Sequence, residues 1–184
     1  MKKLLILLCV MIMVSGCATS TSMQMPVQEC AHIDRTEGIV VGSVLMKGGK
    51  ALLGHKSYRL VVKGMDPDLK NFSVDVKRDG NEVIFVTKMP AGQYCFTRLY
   101  PRFSNVYDPI NVAFVVRPGQ TVYIGRLLIE YPEGLITAHT YFSVSVEDAK
   151  DQTLASVEET HGNMMRDVVT DLMSQPGTTT IVIP

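Results

Sequence analysis

In four segments between residues 57 and 146 apolar side chains recur at every second position, and that period restricts those segments to half-buried strands. Tyr58, Leu60 and Val62 alternate with Ser57, Arg59 and Lys63, and Phe72, Val74 and Val76 with Ser73, Asp75 and Lys77. Further along, Ile110, Val112, Phe114 and Val116 alternate with Asn111 and Arg117, and Phe142, Val144 and Val146 with Tyr141, Ser143 and Ser145. Successive side chains of a strand point to opposite faces, so each set lines one face of a sheet. One apolar and one polar face is what an antiparallel sheet needs when only one side meets a core. Segments 38–46, 83–87, 93–99 and 121–130 are further strand candidates. The spacing of the runs, with Gly, Pro and Asp between them, predicts a mainly β sandwich.

Turn chemistry predicts two reversals. Asp79-Gly80 separates 72–78 from 81–87, and Asp-Gly supplies the positive φ angles of a type I′ hairpin turn. Pro118-Gly119 punctuates Val116 and Val122, since proline presets one turn position and glycine permits the next. On these residues the chain resembles a known group of domains. Met89-Pro90-Ala91-Gly92-Gln93-Tyr94-Cys95-Phe96 is similar to the Leu-Pro-x-Gly-x-Tyr turn and strand of transthyretin-like and carboxypeptidase-regulatory-like sandwiches. The segment 114–125, with Pro118-Gly119 and Tyr123-Ile124-Gly125, resembles the next hairpin in bacterial lipoproteins that carry such domains. The resemblance spans about residues 58–130 and implies an antiparallel immunoglobulin/transthyretin-like sandwich; the one or two C-terminal helices expected beside it are read from the residues beyond Val146. It implies no catalytic residue, because its motifs are structural.

Beyond Val146 the period lengthens. Residues 147–160 predict a helix, with acidic residues at its start and Gly162 beyond its end. Asn163 is placed to cap a second, in which Met164, Met165, Val168, Val169, Leu172 and Met173 recur at helical spacing. Packing against the sheet is the expected use of that face. Asp167 and Asp171 on its polar side are wrong for an anionic membrane surface. Pro176-Gly177 ends the helix, and 178–183 is read as a last edge strand or a tail.

The other constraint sits at the amino terminus. Lys2 and Lys3 precede an unbroken apolar run, 4–14, followed by the small residues Ser15 and Gly16 and then Cys17. As a helix the run reaches roughly 16 Å, against a hydrocarbon core of about 30 Å. It has the three-part layout of a secretory signal rather than of a membrane span. Val14-Ser15-Gly16-Cys17 resembles the lipobox of bacterial lipoproteins, which implies lipidation of Cys17 with palmitate-type acyl chains and cleavage before it. At about 0.8 kcal/mol per buried CH₂, several chains make a stable anchor. Ala18 stands where an Asp resembles an inner-membrane retention signal, so the expected address is the outer membrane, facing the periplasm. The organisation read from this is a signal peptide over 1–16, a lipidated end and tether over 17–36, a β-sandwich over 37–147, and C-terminal helices and tail over 148–184. Ser, Thr, Met and Gln dominate the tether.

Charge excludes one class of partner. Of 18 basic and 18 acidic side chains, Lys2 and Lys3 leave with the signal, so the remainder is slightly acidic and offers no electrostatic footprint for nucleic acid. With Cys9 removed and Cys17 acylated, Cys30 and Cys95 are either a disulfide or two free thiols. A bridge would close a loop of about 66 residues, worth roughly 4 kcal/mol in the chain-entropy account.

Chemistry-bearing motifs are sparse. His32, His55, His139 and His161 are scattered without zinc spacing, and no Cys-x-x-Cys, Gly-x-Ser-x-Gly or phosphate-binding loop occurs. No cofactor or metal is expected; Asp66-Pro67-Asp68 reads as a solvated turn. The segment 98–108, RLYPRFSNVYD, sets Tyr100, Phe103 and Tyr107 beside Arg98 and Arg102. Aromatic rings and guanidiniums are enriched at binding hot spots, although the same rings could plug an open end of the sandwich. The leading expectation is a membrane-anchored envelope lipoprotein acting as a non-enzymatic binding or assembly module for an envelope protein. The alternatives are a glycan- or peptidoglycan-binding module, and a periplasm-facing hydrolase or accessory enzyme whose site is assembled from distant segments.

Overall fold

The computed structural model describes residues 21–22, 34–48, 57–132, 142–161 and 167–175. Its strands are β1 (Thr21–Ser22), β2 (Glu37–Lys47), β3 (Ser57–Gly64), β4 (Phe72–Lys77), β5 (Glu82–Pro90), β6 (Gly92–Pro101), β7 (Asp108–Val116), β8 (Thr121–Glu130), β9 (Ser143–Glu147) and β10 (Val169–Thr170). One helix, α1 (Lys150–His161), follows β9. The fold is mainly β, as the period-two pattern requires, and each of the eight predicted strands is present within a few residues of its expected ends. In β3 and β7 the alternation is visible as burial: Tyr58, Leu60 and Val62, and Ile110, Val112, Phe114 and Val116, are all buried.

Two sheets divide the strands. Sheet A runs β1-β4-β3-β6-β7, and sheet B runs β10-β8-β2-β5 with β9 also on β8. Among the long strands, β2 and β8 alone pair in parallel; the others are antiparallel. The inner faces share one core, in which Val40, Val44 and Met46 of sheet B meet Leu60, Tyr94, Phe96 and Phe114 of sheet A. Tyr94 and Phe114 stack at 5.6 Å between ring centroids.

Both turns predicted from Asp-Gly and Pro-Gly join different sheets. β4 belongs to sheet A and β5 to sheet B, so Asp79-Gly80 makes a sheet-to-sheet corner rather than the expected hairpin. Gly80 has φ +79°, but Asp79 is not in the left-handed region, so the type I′ turn does not form. Instead the Asp79 carboxylate accepts the Asn81 N–H at 3.0 Å. Pro118-Gly119 likewise carries the chain from β7 in sheet A to β8 in sheet B. A turn motif encodes reversal; which edge the next strand joins is decided by nonlocal pairing.

The second predicted helix is not formed by the described part of its sequence. Val169 and Thr170 pair in parallel with Val122 and Tyr123 of β8. The chain then crosses to sheet A, where Ser174 and Ala113 exchange both backbone hydrogen bonds at 2.8 Å. Met173 is buried in the shared core on the way. Backbone groups at the edges of β8 and β7 accept this segment, and the pairing with Val122 and Tyr123 and the bridge to Ala113 override the helical periodicity. Met164 and Met165, and the segment 178–183, lie outside the described residues.

Helix α1 covers the outer face of sheet B. Val157 and Leu154 pack on Ile39, Val41, Val86 and Tyr123, a second apolar cluster separate from the main core. Asp148 precedes the helix and accepts the Lys150 N–H at 3.1 Å, while the Ala149 N–H donates to the Tyr123 hydroxyl at 2.9 Å. The outer face of sheet A carries no such helix among the described residues.

Candidate functional site

Register defines two poles. Ser57, Lys77, Pro101 and Asp108 share one end of sheet A, and Gly64, Phe72, Gly92 and Val116 the other. In sheet B, Lys47, Glu82 and Glu130 share the first end, and Glu37, Pro90 and Thr121 the second. The chain enters β2 at the second pole, where the Ala91 N–H donates to the Thr36 carbonyl. β1 also pairs there, with Thr21 beside Phe72.

The arginine–aromatic segment lies at the opposite pole. Arg98 and Tyr100 share the outward face of β6, because a register shift between Phe96 and Arg98 resets the alternation. The Arg98 Nη1 donates to the Tyr100 hydroxyl at 3.2 Å, and its guanidinium lies 4.7 Å over the Tyr107 ring centroid. Tyr100 and Tyr107 lean together at 5.3 Å. The Tyr100 hydroxyl holds the Arg98 guanidinium more firmly protonated than usual. Beyond the strand end, the Arg102 N–H donates to the Ser57 carbonyl at 2.8 Å, and the Ser104 N–H to the Pro101 carbonyl at 3.0 Å. This tight reversal throws Phe103 outward at φ +68°, where it is 95% exposed with the Arg102 guanidinium 5.5 Å from its ring. Arg59, Val61, Tyr100, Arg102 and Phe103 line a groove of about 410 Å³. Arg59 itself is paired with Asp75 at 3.1 Å.

All five residues singled out in the sequence, Arg98, Tyr100, Arg102, Phe103 and Tyr107, therefore belong to one surface. They do not plug the end of the fold. That role is taken by Tyr58, Tyr131 and Phe142, with Tyr131 5.5 Å from Phe142 and 6.3 Å from Tyr58 between ring centroids. Arg78 lies over this cluster, 5.2 Å from the Tyr131 ring and 5.9 Å from that of Tyr58. Burial pushes the Asp108 carboxyl up, and it pushes the Tyr58 hydroxyl up against the counter-pull of Arg78. The sequence reading missed Arg78 and Tyr131; the signal available was Tyr131-Pro132 closing an apolar strand.

The remaining singled-out residues lie elsewhere. Cys95 is a buried free thiol that donates to Asn111 Oδ1 at 3.2 Å, and burial raises its pKa. Cys17 and Cys30 lie outside the described residues, as do His32, His55 and His139. Asp66 accepts the Leu69 N–H through its carbonyl at 3.1 Å, closing the turn read from Asp66-Pro67-Asp68. Among the described residues no group of three or more His, Cys, Asp and Glu is arranged to hold a metal ion. No known protein family, characterised protein or solved structure matches the chain.

Proposed function

We propose that this protein is an outer-membrane lipoprotein, anchored through lipid on Cys17 and facing the periplasm. Its transthyretin-like sandwich serves as a non-enzymatic module that captures an envelope partner through the loop around Phe103. The observation that carries the binding role is Phe103 itself. A bulky residue in the left-handed region costs on the order of 1–3 kcal/mol, and here it is held there with its ring in water. Of the seven large apolar side chains exposed among the described residues, Phe103, Val106 and Tyr107 fall in this one loop. Such a concentration marks an interaction site better than scattered exposure does.

Two features support the rest of the reading. The facing orders β4-β3-β6-β7 and β5-β2-β8-β9, with β2 and β8 parallel, suit a transthyretin-type sandwich. Pro90, Gly92 and Tyr94 form the turn and strand of the motif, with the Tyr94 hydroxyl latched to the Pro90 carbonyl at 3.0 Å. The anchor reading rests on the lipobox resemblance and gains from β1. Thr21 is four residues past Cys17, a reach of about 14 Å, and it pairs at the pole opposite the loop. The captured partner then lies on the membrane-distal side.

In-cell photocrosslinking from position 103 tests this. A defined envelope protein should crosslink there and not from the control position Lys77. Identical products from both positions would remove the loop from the proposal.

A further inference from the structure

We infer that the Phe103 surface recognises the carboxylates of an acidic polypeptide segment. The inference rests on the loop being a capture surface and adds the chemistry of what is captured. Arg59 and Arg102 line the groove, Arg98 stands beside it on the lining residue Tyr100, and the acid in direct contact with the three is Asp75, on Arg59. Among the described residues, Arg98 and Arg102 have no carboxylate partner within ion-pair distance, in a chain whose formal charge is zero. Each is instead laid against an aromatic ring, Arg98 on Tyr107 and Arg102 beside Phe103.

Stacking fixes the plane of each guanidinium, and although Arg98 gives one Nη1 donor to the Tyr100 hydroxyl, a guanidinium has five N–H donors and others are left for a ligand. A carboxylate fits a guanidinium edge with two parallel hydrogen bonds, and a preorganised fork loses little entropy on making them. Tyr107 lies under Arg98 and leans on Tyr100, so the open ring a neutral sugar would stack on is reduced to that of Phe103, too little for a sugar platform of several rings. The groove volume of about 410 Å³ is near the lower end of the range for small-ligand sites and suits a few side chains. Phe103 and Val106 then supply apolar contact beside the charges, the mixture a peptide with interspersed acids and apolar residues would meet.

The test uses the full-length lipoprotein in detergent micelles and a fluorescent oligoglutamate peptide, with oligolysine and a neutral chito-oligosaccharide as comparison probes. Oligoglutamate should bind and weaken on the order of tenfold from low to high salt, while the other two do not bind. Arg98→Lys and Arg102→Lys keep the charge but lose the fork, so each should weaken binding about tenfold with an unchanged melting temperature. No oligoglutamate binding, equal binding of the oligosaccharide, or lysine variants that bind like the parent would each overturn the inference. Crosslinking from position 103 separates this from the broader reading. A partner touched through a neutral segment overturns the acidic chemistry alone, and the absence of any specific partner overturns both.

Discussion

Tyr94 joins the sequence motif to the core through a single atom. Its ring is buried between Phe72 and Phe114, and its hydroxyl donates to the Pro90 carbonyl four residues earlier, which pins the crossing from β5 to β6. Gly92 in the same turn is required by its backbone, because φ +155° is a conformation that L side chains rarely adopt. Tyr94→Phe keeps the ring and removes the latch, and should lower stability by about 1 kcal/mol in urea denaturation with the fold retained. Burial also raises the Tyr94 pKa to about 12, so the neutral phenol is favoured in the folded state. Among the described residues the most enclosed ion pair lies on sheet B. Arg126 donates to Glu82 through Nε at 2.8 Å and Nη2 at 2.9 Å, and through Nη2 to Gln152 at 2.7 Å. Burial works against ionisation of Glu82, but the Arg126 hydrogen bonds and charge outweigh it and hold the carboxyl below its ordinary value. A depressed carboxylate contributes stability above its unfolded pKa, near 4.3, and loses it as pH falls through the folded value. Glu82→Gln should therefore melt well below the parent at pH 7, with the gap narrowing below about pH 4. A gap that stays constant with pH would show that the pair is not what Glu82 contributes.

At the level of elements, the strands were legible because burial on one side writes period two directly into the sequence. The connections were not. Asp79-Gly80 and Pro118-Gly119 announce reversals correctly, yet both link the two sheets, since no local residue states which open edge the next strand will meet. The 164–173 repeat shows the same limit: Val168, Val169, Leu172 and Met173 fit a helix face, but the edges of β8 and β7 offered partners that only the assembled fold reveals. The loop residues 98–107 were legible as a chemical type, and their exposure was not. Whether they plug or protrude depended on Tyr58, Tyr131 and Phe142, three residues from distant segments. Within β8, Gly125 at φ +97° takes up an extra residue against β2 between Val41 and Ser43. Helix α1 is the most separable element, because its cluster with Ile39, Val41 and Tyr123 is distinct from the main core. Val157→Asp puts a charge into that small cluster, and hydrogen exchange should then show the amides of α1 losing protection while β3 and β6 keep theirs. Equal loss in all three would mean that the helix is integral to the core.

Taken whole, the molecule is polarised. One end receives the chain at β2 and pairs β1, and the other presents Phe103, separated by the length of β6, roughly 33 Å. A lipid at Cys17 would hold the first end toward the bilayer and turn the second toward whatever lies beyond it. The central parallel pair has a different consequence, one of timing. β2 sits in the middle of sheet B between β5 and β8, and its partner β8 begins at Thr121. A further bridge sets Ser174 on Ala113 of β7. Contacts this distant along the sequence are slow to form, and they are impossible until the later strands have emerged. The nascent first half consequently has no finished sheet to settle into. A polypeptide threaded through a membrane channel must be in that unassembled condition, so on the proposed route to the envelope this strand order would itself hold back folding until late in transit.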